Sequence, residues 1–338
     1  MDKRSSQNLL VVIFLSIFFG FNCNSQPKNL STEKDHLTLI AKIDMPGVKG
    51  RIDHIAYDSV NHLAFIAALG NNTVEAININ TKQVIQTIKS LDEPQGVVFI
   101  PSLKKIVIAN GGNGDCVFYD ATNYKQSGII HLKGDADNVR YDKVKNLVYV
   151  GYGDGAIAII DANLMKQVDD ISLDGHPESF QLSKKKNRLY INVPDANEIE
   201  VADLSASKVI SKWKNTVASS NFPMTLNEDK NWLIVACRNP SKLRMINADT
   251  GKDVFSINCS GDADDIFFNP IDSLVFVSAG RGFIDVFRAS EKELVQINEI
   301  KTRIGARTSL LLGEEKLFLL AVPAHSGESA SLWIYSID

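Results

Sequence analysis

Two stretches of the chain carry the same acidic quartet. One reads GDADNVRYD, from Gly134 to Asp142, and the other GDADDIFFNP, from Gly261 to Pro270. Clustered carboxylates with neighbouring amide oxygens suit hard cations such as calcium or magnesium. That makes Asp137, Asp264 and Asp265 candidate metal ligands and Asn138 a candidate binding residue. A local reading stands beside it: glycine permits a positive φ, and an aspartate side chain caps backbone N–H groups in a tight turn. The sequence leaves both open.

Other residues add chemistry. RIDH, Arg51 to His54, and GHPES, Gly175 to Ser179, supply Arg51, His54, His176 and Glu178. His54 or Glu178 is a candidate general base, and a histidine among carboxylates widens the metal choice to manganese or zinc. Arg51, Arg238, Arg281 and Arg307 carry guanidinium forks that pair with carboxylate or phosphate. The bland alternatives are a hydrogen-bonded structural His54, a solvated Glu178, an Arg307 paired with a neighbouring aspartate, and rim arginines.

Positioning these residues falls to a repeat. LAFIAALGNNTVEAININTKQVIQTI from Leu63 aligns with LVYVGYGDGAIAIIDANLMKQVDDISL from Leu147. Both align with the segments from Leu189 and Leu233. Each has a β-branched and aromatic run, a turn, a second alternating run, a polar turn and a third run. A further strand precedes each, as in HIAYD, GVVFI, NVRYD and DIFFN. Four strands per unit of about 40 residues predict propeller blades. Seven units start near His54, Gln95, Asp137, Glu178, Phe222, Asp264 and Arg307. The seventh has three strands, and HLTLIAKI, His36 to Ile43, is expected to complete it and close the ring without open sheet edges. The expected fold is therefore all-β: a seven-bladed propeller of four-stranded antiparallel blades spanning 36–338.

NNTVEAININTKQVIQTI, RLYINVPDANEIEVADL and MINADTGKDVFSI resemble the YVTN beta-propeller repeat family, also called YncE-like. The resemblance covers the chain from residue 37 onward and implies an exported bacterial protein. It leaves function open, because related seven-bladed folds serve as binding modules, lactonases, metal-assisted lyases and electron-transfer subunits.

In up-and-down antiparallel order, the loop leading into each innermost strand and the turn between the second and third strands share one face. A seven-fold ring turns roughly 51° per blade, so His54 stands roughly 103° from each quartet, and the quartets stand roughly 154° apart. These spokes, with Glu178, His176 and Arg307, should surround the channel mouth. Asn71, Asn72, Asn110, Tyr152, Arg238, Arg281 and His325 should lie on that face at wider radius.

The N-terminus is a separate object. Lys3 and Arg4 precede the apolar run Leu9 to Phe21, which has the length of a secretory h-region and is short for a membrane span. Cys23 follows, so the segment resembles a bacterial lipoprotein signal, although Asn22 stands where a small residue is usual. Cleavage after Ser25 and an uncleaved anchor are the alternatives. Residues 1–25 are thus expected as an export signal and 26–35 as a polar tether. The expected location is the periplasm, or the outer membrane through lipidated Cys23. Of the remaining cysteines, Cys116, Cys237 and Cys259 are expected as buried strand thiols, with a Cys237–Cys259 bridge as the alternative.

The composition of the 338 residues, 44% hydrophobic and 22% charged with a formal charge of −4, fits a soluble domain with a large core. An extended basic surface for nucleic acid is not expected. Glycine-rich phosphate loops, HExxH, GxSxG and CxxCH are absent from the sequence. Two functions are expected to compete. One is a noncatalytic exported module, monomeric, presenting the mouth to a small ligand, glycan or envelope protein. The other is a metal-assisted hydrolase or lyase using His54 or Glu178 as base, with calcium or magnesium as the cofactor class.

Overall fold

The computed structural model describes residues 36–338; the expected signal, tether and Cys23 lie outside them. The repeat resolves into seven four-stranded antiparallel sheets. Blade 1 comprises Ile55–Asp58, Leu63–Ala68, Thr73–Asn78 and Gln83–Ile88; blade 2, Pro94–Ile100, Lys105–Asn110, Asp115–Asp120 and Gln126–His131; blade 3, Ala136–Asp142, Leu147–Tyr152, Ala156–Asp161 and Lys166–Ser172. Blade 4 comprises Phe180–Ser183, Arg188–Val193, Glu198–Asp203 and Lys208–Lys214; blade 5, Ser219–Asn227, Trp232–Asn239, Ser241–Asn247 and Asp253–Asn258; blade 6, Ala263–Asn269, Leu274–Ala279, Phe283–Ala289 and Leu294–Lys301. Blade 7 takes Thr308–Leu312, Leu317–Val322 and Ala330–Ile337 from the C-terminal end and Leu37–Met45 from the N-terminal end. Leu37 pairs with Ile337 and Met45 with Ala330, so both halves of the expected closure are present.

The strand patterns follow from blade packing. A second strand such as Leu63–Ala68 is sandwiched by sheets on both faces and is buried throughout. The outermost strand Gln83–Ile88 meets solvent along most of its length. Apolar side chains assemble between neighbouring blades. Ile66 and Ile77 of blade 1 join Leu319 and Leu332 of blade 7, and Phe65 and Val74 join Val97 and Phe99 of blade 2. Burial of such runs removes apolar area from water at about 25 cal/mol per Å². The inner strands of adjacent blades touch around the whole ring, blade 1 against blade 7 included.

Four inner strands break register near their starts: between Pro94 and Val97, Ala136 and Val139, Asn221 and Met224, and Ala263 and Asp265. A bulge bends a strand and re-aims its side chains. Two of these bulges hold the acidic quartets.

Cys116, Cys237 and Cys259 are free thiols, so the bridge does not form. Cys259 departs from the expectation: it is half-buried and lies just beyond the strand Asp253–Asn258.

Candidate functional site at the channel mouth

The two faces of the ring use acidic side chains differently. On the face opposite the mouth, Asp and Asn cap turns. Asp58 accepts the N–H of Val60 (3.0 Å), Asp142 that of Val144 (2.8 Å) and Asn227 that of Asp229 (3.1 Å). Asp120, Asp161 and Asp203 do the same between third and fourth strands. This is the Asx-turn chemistry that lets a short polar side chain replace a backbone acceptor. At the mouth, no quartet carboxylate among the described residues accepts a hydrogen bond from its own turn. Asp135 accepts from Gln95 Nε2 (2.8 Å), and Asp262 from Arg307 Nη1 (2.9 and 3.0 Å). The quartets also differ in backbone. Gly134 has φ of 76° in the first, whereas in the second Asp262 itself has φ of 62°. The turn reading of glycine thus holds at Gly134 only.

Lead-in loops converge on a cavity of about 510 Å³. Its charged lining is Arg51, Glu93, Asp135, Asp137, His176, Glu178, Arg238, Asp264 and Arg307. Gln95, Phe222, Leu69, Gly111 and Gly112 complete it. Every blade contributes, because each sends a lead-in residue to the mouth. A second cavity of about 460 Å³ lies along the channel among the inner strands, lined by His54, Tyr57, Phe99, Arg140, Asp265 and Phe267 among others.

One side of the mouth is held by ion pairs. Arg238 Nη2 stands 2.5 Å from Asp264 Oδ1, and its Nε donates to the Ala263 oxygen at 3.0 Å. Its guanidinium lies over the Phe222 ring, 3.7 Å from the centroid, a cation–π contact. Arg307 Nε reaches Asp264 Oδ2 at 2.8 Å. Arg51 Nη2 meets buried Asp53 at 2.6 Å.

The other side is short of partners. Asp137 is 6% exposed, and its Oδ1 has no hydrogen-bond partner. His54 Nε2 stands 4.0 Å from that oxygen. Burial, then the charges of Glu178 and Asp53, push the Asp137 carboxyl up to about 8. Burial and the Asp264 charge push Glu178 up to about 8 as well. Asp264 is also raised, by burial, against the pull of its two arginines. His176 Nδ1 donates to the Gly153 oxygen at 2.7 Å, and its Nε2 stands 3.9 Å from Asp135.

His54 sits between the two cavities. Its Nε2 is 3.7 Å from Asp53 and its Nδ1 is 3.7 Å from Asp265. His54 thus lies near Asp137 of the first quartet, while its contact beside the second is with Asp265, one residue beyond the quartet. Asp265, however, faces the channel cavity and accepts the Ser309 N–H at 2.7 Å. The bulge at Ala263/Asp265 separates Asp264 and Asp265 onto different chambers.

The candidate metal ligands Asp137, Asp264 and Asp265 do not converge. Asp264 is taken by two arginines and Asp265 by a backbone donor. At the mouth, ligand atoms of Asp137, His176 and Glu178 all lie within 4.8 Å of one another. This donor set includes an imidazole, which shifts the fit from calcium or magnesium toward manganese or zinc. Asn138 is buried away from the mouth lining. Asn71, Asn72, Asn110, Tyr152, Arg281 and His325 also stand outside that lining. Asn110 instead ties the Asp92 N–H and the Asp115 oxygen, and Tyr152 donates to Asp170.

Sequence reading passed over Asp53, Glu93, Gln95, Asp135 and Phe222. Glu93 and Gln95 occupy the lead-in position of blade 2 that Asp135 and Asp137 occupy in blade 3. Strict alignment of the repeats was the signal that could have found them. Nothing local marks Asp53, whose importance comes from contacts with Arg51 and His54.

No protein-family model and no curated protein sequence matches the chain. Solved structures do match by shape. One is described as "Crystal Structure of Mitotic Checkpoint Complex", with a TM-score of 0.74 and 15% identity, covering 95% of this chain and 99% of that one. Another is Kuenenia stuttgartiensis hydrazine synthase, with a TM-score of 0.73 and 14% identity, covering 88% of this chain and 98% of that one. At such identity the likeness establishes a shared seven-bladed propeller fold and nothing about activity.

Proposed function

We propose that this chain is an exported, noncatalytic β-propeller of the YVTN type that binds a small polar ligand, or the polar end of a glycan or envelope protein, in its mouth cavity. It acts as a monomer, reaching the periplasm or an outer-membrane anchor through its N-terminal segment. The observation that carries the reading is the convergence of lead-in residues from all seven blades on one polar cavity of about 510 Å³. That volume falls in the range of small-molecule sites. Rigid blades hold the loops, so little ordering cost attends binding. Arg51 and Glu178 offer donors and acceptors of both kinds, while Phe222 under Arg238 gives one flat wall.

Calorimetric titration of the full chain with mono- and oligosaccharides and small carboxylic acids tests this. Binding that weakens at least about 10-fold in Glu178→Gln and Arg51→Ala supports it. Binding unchanged by both variants, or no binding across the panel, contradicts it.

One observation favours a second reading. Asp137 and Glu178 are both held near 8, where a carboxyl can give and take protons at neutral pH. A metal-assisted hydrolase or lyase at the mouth would use them. His54 serves that reading poorly, since it lines the channel cavity instead. Turnover of lactones or other esters lost in Glu178→Gln would establish it.

A further inference from the structure

Two carboxylate groups among the described residues have ligand atoms close enough to share an ion. Asp174, Glu198 and Glu200 form one, at the junction of blades 3 and 4. Two lysines and a backbone N–H meet part of their charge, although Glu198 Oε1 and Glu200 Oε2 accept no hydrogen bond. Glu200 accepts the Asp174 N–H at 2.9 Å, Lys214 Nζ stands 2.8 Å from Glu198, and Lys212 pairs with Asp174. Blade 6 repeats the device without the extra acid: Asp285 accepts the N–H of Ser260 at 2.6 Å. A carboxylate in the third strand thus clasps the chain coming from the preceding blade.

The mouth group is different. We propose that Asp137, His176 and Glu178 hold one divalent transition-metal ion of the zinc or manganese class on the wall of the mouth cavity. Three observations carry this. First, the ligand atoms come from two adjacent lead-in loops and lie within 4.8 Å of one another. At ligand distances of about 2.0–2.2 Å, closing on an ion asks each atom to move by no more than about 0.8 Å. Second, Asp137 lines this cavity, and its buried Oδ1 has no hydrogen-bond partner. A buried acceptor left bare is costly, and a cation satisfies it. Third, the carbonyl of Gly153 can only accept, so His176 Nδ1 is the donor of that 2.7 Å bond. With Nδ1 as the donor, Nε2 is the ring nitrogen left to coordinate an ion. Fixing one ring nitrogen to a carbonyl so that the other faces a metal is the usual outer support of a histidine ligand.

Three protein ligands leave coordination positions open to the cavity, so the ion would also meet whatever occupies it. This proposal rests on the reading that the mouth is the functional face, but its test does not. Metal binding is read with metal alone, and sugar or acid binding without metal.

The test is metal titration of the full, chelator-treated chain with Zn²⁺ and with Mn²⁺, read by calorimetry and by elemental analysis after gel filtration. One ion per chain is expected at the mouth. His176→Ala and Glu178→Gln are expected to weaken binding at least about 100-fold, with folding checked by circular dichroism. His176 is partly exposed, so its variant folds even if an Asp137 variant does not. Glu198→Gln reports on the other acidic group and is expected to leave this binding unchanged. Co²⁺ substitution adds a visible spectrum that changes in His176→Ala. Failure to bind either ion, or binding lost in Glu198→Gln and retained in His176→Ala, overturns the proposal.

Discussion

Gly96 of blade 2 runs against Asp137 of blade 3 so closely that a β-carbon on Gly96 would stand 2.0 Å from the Asp137 backbone oxygen and 2.6 Å from Val139. The glycine lets two inner strands approach at the bulge that aims Asp137 into the mouth. Gly96→Ala must therefore push backbone against backbone. Destabilisation of about 3 kcal/mol or a failure to fold is expected. Gly313→Ala, with nothing within 4 Å, is expected within about 0.5 kcal/mol of the parent. Urea unfolding of the two variants checks the contrast.

The quartets make opposite predictions for equivalent aspartates. Asp264 is clamped by Arg238 and Arg307. Asp264→Asn leaves two guanidiniums with a weakened partner and is expected to cost about 3 kcal/mol. Asp137 has no such clamp, and burial already disfavours its charge. Asp137→Asn is expected to be close to neutral at pH 7 and stabilising at pH 8.5 in metal-free protein. Equal, large losses in both variants would return the quartets to a turn role.

Stability of metal-free protein should depend on pH with a definite sign. Asp137 and Glu178 are raised from ordinary carboxyl values to about 8, so the folded state binds protons more tightly than the unfolded one. Their contribution is fullest below about pH 4. It declines as pH rises through the neutral range and is gone above about pH 8. Melting in chelator at pH 6 and pH 8.5 should show the decline, and the double variant Asp137→Asn/Glu178→Gln should flatten it. A melting temperature that rises over this interval, with no flattening in the double variant, would contradict the assignment.

Thiol chemistry should be silent in the folded domain. Burial pushes the Cys116 thiol up to about 12, and burial with the Asp285 charge does the same to Cys259. Cys237 is buried and raised too. Mass-mapped labelling with a thiol reagent is expected to modify none of the three at pH 8 until the chain unfolds, with half-buried Cys259 first if any. Recovery of a Cys237–Cys259 disulfide would contradict the structure.

The propeller was legible because each blade repeats one physical problem. Middle strands packed on both faces need unbroken apolar runs, and turns between them need Asp, Asn or Gly at fixed offsets. Leu63–Ala68 and Leu274–Ala279 announce themselves this way. The missing fourth strand of blade 7 points to His36–Ile43, and the strand found there is Leu37–Met45. Topology also sufficed to bring Asp137 and Glu178 to one mouth, whereas His54 lines the channel cavity. What lay beyond reach was side-chain aim. A bulge turns Asp264 to the mouth and Asp265 to the channel, and no residue type in GDADD marks that division. Pairing was equally hidden: Arg238 and Arg307 both pair with Asp264 and Asp262, which leaves Asp137 and Glu178 near His176.

The proposed role of the acidic lead-in loops is to hold a bound species at the mouth. Anomalous diffraction from crystals of the full chain grown with Mn²⁺ would locate it. A peak about 2.2 Å from ligand atoms of Asp137, His176 and Glu178 is expected. A map with no peak at the mouth, or with density only beside Glu198 and Glu200, would contradict it.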